Sequence, residues 1–199
     1  MFGRIFRKTT PGPAVEKKIF IAQLNARLQP LHRGELFEDP LQAMLLSQGI
    51  GEVSGGGTLQ ARDGEIEYCD IEISVPSASD AVAADIIQAL EKFGAPKGSK
   101  LHFEGTDRKV DFGRLEGMAV YLNGTALPAK VYRECDSNFV YAEFGRLLGD
   151  LGRVLSYWQG PTETALYMYG ASFEEMKAGI TGFTATYPLC QRCRIVQVA

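Results

Sequence analysis

The sequence predicts an α+β fold made by tandem duplication of a ferredoxin-like βαββαβ unit, with antiparallel sheets covered by helices on one face. Three observations point there. Ile19-Phe20-Ile21 returns as Val120-Tyr121-Leu122, and residues 42–53 return as residues 143–154, both at an offset of 101. A fixed long period marks two copies of one structural unit. Hydrophobic periodicity then reads in each copy as strand, helix, strand, strand, helix, strand, the split βαβ order. Finally, residues 65–75 alternate cleanly: Cys69, Ile71, Ile73 and Val75 share one face; Tyr68, Asp70, Glu72 and Ser74 share the other. That pattern belongs to an antiparallel strand buried on one side.

The first copy opens with Ile19 to Leu24, a short apolar run suited to a buried strand. A loop is expected through Gln29-Pro30 and Arg33-Gly34. A helix should start near Pro40, with Asp39 as N-cap and proline at the first helical position. Leu41, Met44 and Leu45 share its face, and Gly49 and Gly51 end it. Glu52 to Gln60 is the second strand, Asp63-Gly64 a turn, and Glu65 to Val75 the third strand. Residues 77–80 fit a capping box. Val82, Ile86, Leu90 and Phe93 follow at helical spacing. Gly94 and Pro96 stop that helix before a fourth strand, Lys100 to Phe103.

The second copy runs in the same order. Strands are expected at Gly117 to Leu122, Arg153 to Gln159, Thr164 to Tyr169 and Arg194 to Val198. One helix is expected over about Asn138 to Leu151. A second follows the capping box Ser172 to Glu175, with Phe173, Met176, Ile180, Phe183 and Tyr187 as its apolar stripe. The chain is thus divided into a basic tail (1–18), a first ferredoxin-like repeat (19–106) and a second (107–199).

Composition limits the function. Apolar content is 45%, and no apolar run nears the ~20 residues of a transmembrane helix. The net charge of −3 is split unevenly. Residues 1–18 hold Arg4, Arg7, Lys8, Lys17 and Lys18 against Glu16, a net +4, which leaves −7 for the rest. An acidic body argues against nucleic acid and suits a basic protein partner. The N-terminus has no continuous apolar core of the signal-peptide kind, so a cytoplasmic location and reduced thiols are expected for Cys69, Cys135, Cys190 and Cys193.

Candidate sites were weighed by chemistry. Gly55, Gly56 and Gly57 lie inside a strand, where glycine is costly unless something approaches the backbone closely. At the 101 offset, Gly56 and Gly57 match Tyr157 and Trp158. Cys190-Gln-Arg-Cys193 follows a helix, the unfavourable end for a redox pair, and no second ligand pair completes a zinc site. Acid–base chemistry could draw on His32 with Glu35 or Asp39, or on the paired carboxylates Asp70 and Glu72. No catalytic triad can be assembled, and no cofactor or metal is expected.

The leading expectation is therefore a non-enzymatic protein-binding module. Its acidic, aromatic sheet surface would use Gly55, Gly56, Gly57, Tyr68, Asp70, Glu72, Tyr157 and Trp158. An inhibitor or immunity-type protein blocking a basic toxin or nuclease would fit this charge. The alternatives are a regulatory protein holding a small molecule at the junction of the repeats near Gly55 to Gly57, and a small enzyme using His32 or the Cys190/Cys193 pair.

Overall fold

A computed structural model describes residues 17–199; the expected tail lies outside the described residues except for Lys17 and Lys18. The first unit contains strands β1 (Lys18–Leu24), β2 (Glu52–Gln60), β3 (Ile66–Val75), β4 (Ser99–Phe103) and β5 (Lys109–Phe112). Its helical segments are α1 (Pro30–Arg33), a π-helical turn (Gly34–Glu38), α2 (Asp39–Gln48) and α3 (Asp80–Phe93). The second unit contains β6 (Glu116–Asn123), α4 (Ala129–Glu134), α5 (Ser137–Leu148), β7 (Gly152–Gln159), β8 (Glu163–Gly170), α6 (Phe173–Thr186) and β9 (Arg194–Gln197).

The sheet orders are β2-β3-β1-β4-β5 and β7-β8-β6-β9, antiparallel throughout. Without β5 they are the same order, and both are the ferredoxin-like one. The first sheet continues past the expected division at residue 106, because β5 pairs with β4 from Ser99↔Phe112 to His102↔Lys109.

Cross-strand ladders align the copies residue by residue. Ile73 pairs with Phe20 and Val53, and Met168 pairs with Met118 and Val154. Val53 and Val154 stand 101 apart, as the sequence repeat has it. In the first strand the true offset is 98, from Phe20 to Met118. The 101 match pairs Phe20, which faces the helices, with Tyr121, which faces away, because shifting a strand by an odd number flips its faces. Both second strands carry a bulge at the same place, between Val53 and Gly55 and between Val154 and Ser156.

One face of each sheet is buried under helices. Phe20, Ala22, Leu24, Ile71 and Ile73 pack with Leu41 and Leu45 of α2 and Ile86 and Leu90 of α3. Met118, Val120, Leu122, Leu166 and Met168 pack with Val140, Phe144 and Leu148 of α5 and Met176 and Ile180 of α6. Ser172 caps α6, accepting from Glu175 N–H, as expected. The cap of α3 is Ser79 rather than Ser77, accepting from Val82 N–H.

The expected loop at residues 29–38 is helical instead. Pro30, not Pro40, occupies the first position, and Asp39 has helical angles rather than those of a cap. Pro40 has no N–H to donate within this continuous helical run. The turn just before it is widened, with Asp39 N–H reaching back to Gly34 C=O, as in a π-bulge.

The second sheet's other face is covered by the first unit. Ala119, Tyr121, Trp158, Ala165, Tyr167 and Tyr169 belong to the same core cluster as the first unit's interior. Glu65, at the β2–β3 turn, accepts from Tyr121 Oη at 2.6 Å and Tyr167 Oη at 2.8 Å. Arg27 N–H donates to Tyr169 Oη at 2.8 Å, and its guanidinium lies 3.8 Å from Glu65. Burial, then the hydrogen bonds and charge of Glu65, push the Tyr121 hydroxyl up to about 12. Trp158 is 7% exposed. Its truncation to alanine is expected to lower stability by about 3–5 kcal/mol, read from a urea melt followed by circular dichroism; a loss below about 1 kcal/mol would mean that the indole is not part of the core.

Candidate functional site

The two bulged strands put the residues singled out by sequence in different places. In β2, Gly55 lies opposite Glu72 and Gly57 opposite Asp70, with Tyr68 opposite Leu59. These six residues share the face of the first sheet turned away from its helices. Ile21, Gln23, Lys100 and His102 complete that face on β1 and β4, with Ile21 beside His102 and Gln23 beside Lys100. Ile19 and Ile21 belong to neither core cluster. Among the described residues, no helix packs on this face.

Gly56 points the other way. A Cβ there would collide with Glu38 Oε1 and stand 3.0 Å from Asp70 C=O and 3.1 Å from an Arg33 amine. Arg33 is buried, pairs with Glu38 at 2.6 Å, and donates to Gly57 C=O and Thr58 Oγ1 at 2.7 Å each. The middle glycine therefore admits the Arg33–Glu38 ion pair. Gly57 has no atom within 4 Å of an added Cβ, and Gly55 meets only the flexible end of Glu72.

Tyr157 and Trp158 part company because adjacent strand residues face opposite sides. Trp158 turns into the junction between the units and packs on Gly160, whose Cβ the indole would exclude. Tyr157 faces the α5 side of β7 and is 47% exposed. The acidic, aromatic surface expected from sequence is thus split. Its acidic part is open on the first sheet, and most of its aromatic part, Trp158, Tyr167 and Tyr169, is buried under the first unit.

On the open face, Asp70 Oδ1 and His102 Nε2 are buried atoms with no hydrogen-bond partner. Burial raises the Asp70 carboxyl above its ordinary range, against the opposing pull of Gln23, His102 and Arg33. Glu72 is exposed and makes no ion pair among the described residues. Lys100 is held by Asp111 at 2.6 Å. The β2–β3 side of the face is therefore acidic.

A second site lies between the units. His32 Nδ1 sits 3.1 Å from Ser156 Oγ, which accepts from Gln29 N–H at 3.2 Å. Ser156 Oγ thus joins the Gln29 backbone and the His32 ring across the two units. His32 has no hydrogen bond or ion pair to Glu35 or Asp39, and Ser156 is fully buried, so the pair ties the first unit to the second. Gln29 Nε2 also donates to Tyr157 C=O at 3.0 Å. Around His32 and Tyr157 opens a cavity of about 420 Å³, lined also by Asn138, Tyr141, Gln159 and Thr164. Sequence reasoning missed these four, because nothing in local spacing marks residues that meet through docking of two units.

The Cys190/Cys193 pair is not activated. All four cysteines are free. Burial pushes Cys190 up to about 12, with the neighbouring Cys193 and Cys135 adding to it, and burial raises Cys193 too. A protonated thiol is a poor nucleophile and a poor metal ligand. Among the described residues, no group of three or more His, Cys, Asp or Glu side chains is placed to hold a metal ion.

No protein-family model and no curated protein matches the chain. Among solved structures it is similar to the first two RRM domains of yeast poly(U) binding protein (Pub1), at 9% identity and a TM-score of 0.25, over 92% of this chain and 99% of that one. It is also similar to the regulatory subunit of aspartate kinase from Thermus flavus, at 12% identity and a TM-score of 0.27, over 83% and 92%. The ligand-free form of that subunit from Thermus thermophilus gives 13% and 0.26, over 86% and 93%. TM-scores this low carry no argument about function.

Two outcomes follow from this geometry. Gly56→Val is expected to lose about 1–3 kcal/mol by overpacking, whereas Gly57→Val, with open space and good strand propensity, stays within about 0.5 kcal/mol of the wild type or gains; equal melts for the two variants would refute the account of the glycine run. Asp70→Asn is expected to raise the melting temperature at pH 7. A carboxyl whose folded pKa is raised favours folding only while protonated, so the variant's advantage should shrink as pH falls through the ordinary carboxylate range. A gain that does not change with pH would show that Asp70 is not the group responsible.

Proposed function

We propose that this protein is a non-enzymatic binding module of the inhibitor or immunity type, and that a basic protein partner lands on the open face of the first sheet. The supporting observation is the unequal use of two equivalent faces. Ser156, Trp158, Ala165 and Tyr167 of the second unit occupy the ladder positions held by Gly55, Gly57, Asp70 and Glu72 in the first. The second unit's set is consumed in joining the units. The first unit's set remains available, and it is shaped differently: two glycines expose backbone, and two carboxylates stand beside them.

Charge favours the same partner. The chain outside residues 1–18 carries −7, so a cationic surface would be drawn toward it and oriented by it. Glu72, exposed on that face, offers a carboxylate to a lysine or arginine of the partner. Four free thiols fit action in a reducing compartment such as the cytoplasm. Among the described residues no helix is long and apolar enough to cross a membrane.

The test is an affinity capture with the full chain, with bound proteins identified by mass spectrometry. A basic protein retained by the wild type should be lost with Glu72→Lys and released as salt rises, while Glu72→Lys melts like the wild type. A partner held equally by both, with no dependence on salt, would end this reading.

A further inference from the structure

The junction cavity is built from both units and differs in chemistry from the acidic face. His32 arrives on α1 of the first unit; Asn138 and Tyr141 lie in the first turns of α5; Tyr157, Gln159 and Thr164 come from the β7–β8 hairpin. No Asp, Glu, Lys or Arg side chain lines it. Two rings from different units flank it, His32 and Tyr157, with centroids 6.3 Å apart and planes at 64°. Tyr157 keeps 47% of its surface exposed although its neighbour Trp158 is buried. Its volume of about 420 Å³ falls in the range of about 300–1,000 Å³ typical of small-molecule sites.

We propose that this cavity binds an uncharged heteroaromatic molecule of the nucleobase or nucleoside class. An aromatic ligand can stack on the exposed face of Tyr157, the mode by which proteins hold unstacked bases. Asn138 and Gln159 each present both a donor and an acceptor, which is what the mixed edge of a base requires. His32 adds a second ring nitrogen, Nε2, because Nδ1 is engaged by Ser156. No cation in the lining pairs with a phosphate, so the ligand we propose is a free base or nucleoside rather than a nucleotide strand. Because His32 and Tyr157 belong to different units, such a ligand would also bridge the halves and add to their docking.

The experiment is isothermal titration of the full chain with adenosine, guanosine, cytidine, uridine and, as the charged comparison, adenosine monophosphate. A rise in melting temperature with saturating nucleoside gives an independent readout. At least one nucleoside should bind saturably with one site per chain, and the monophosphate more weakly than adenosine. Tyr157→Ala and Asn138→Leu should each weaken binding by about tenfold or more, with melting temperatures showing that both variants are folded. Absence of saturable binding by all four nucleosides, tighter binding of the monophosphate, or unchanged affinity in both folded variants would overturn the proposal.

Discussion

The arrangement of this protein depends on one half-buried carboxylate. Glu65 sits at the tip of the first unit's β-hairpin and receives two tyrosine hydroxyls from the second unit's sheet, with the Arg27 guanidinium close by. A carboxylate removed from water is costly unless its lone pairs are used. Here they are used by Tyr121 and Tyr167, whose own hydroxyls would otherwise be unpaired when the sheet is covered. Each unit thus satisfies polar groups that the other would have to bury alone. The aromatic surface around them, Trp158, Tyr167 and Tyr169, supplies the apolar area that favours docking.

That joint makes a near-symmetric duplication unequal. The helical segment from Pro30 to Glu38 lies along the edges of both sheets. Arg33 bonds the β2 edge at Gly57, and Gln29 bonds the β7 edge at Tyr157. Unpaired edges invite unwanted pairing with other chains, and one short segment blunts two of them. The π-turn that fits around Pro40 sets the path by which Arg33 and Glu38 reach Gly56. The glycine run is therefore read best by its middle member, whose missing side chain is filled by an ion pair from elsewhere in the unit.

Much of this fold is legible in the sequence because it rests on local rules. The alternation from Tyr68 to Val75 gives both the strand and its buried face; Ser172 with Glu175 marks the start of α6; the order of elements gives the topology. The failures have physical causes too. Residues 29–38 read as loop because Pro30, Gly34 and the following Pro40 discourage helix, and a widened turn overrides that discouragement. α4 was not anticipated in the stretch after Pro128. Tyr157 and Trp158 read as one aromatic surface by composition alone, but a strand sends neighbours to opposite sides, as the alternation in β3 does. The cavity residues Asn138, Tyr141, Gln159 and Thr164 are beyond local reading, since only docking brings them to His32.

The difference between the two open faces also has a meaning in time. A ribosome delivers the first unit before the second, and domains tend to fold in that order. The first sheet shows water a face of Gln23, Asp70, Glu72 and Lys100, so it can complete its core without exposing a broad greasy surface. The second sheet, folded first, would hold Tyr167, Tyr169 and Trp158 open to every other nascent chain nearby. Placing the polar-faced copy at the N-terminal end lets it stand ready as a lid while its aromatic-faced sibling is still being made. Circular permutation that reversed the two halves would keep every contact of the finished protein and lose that protection during synthesis.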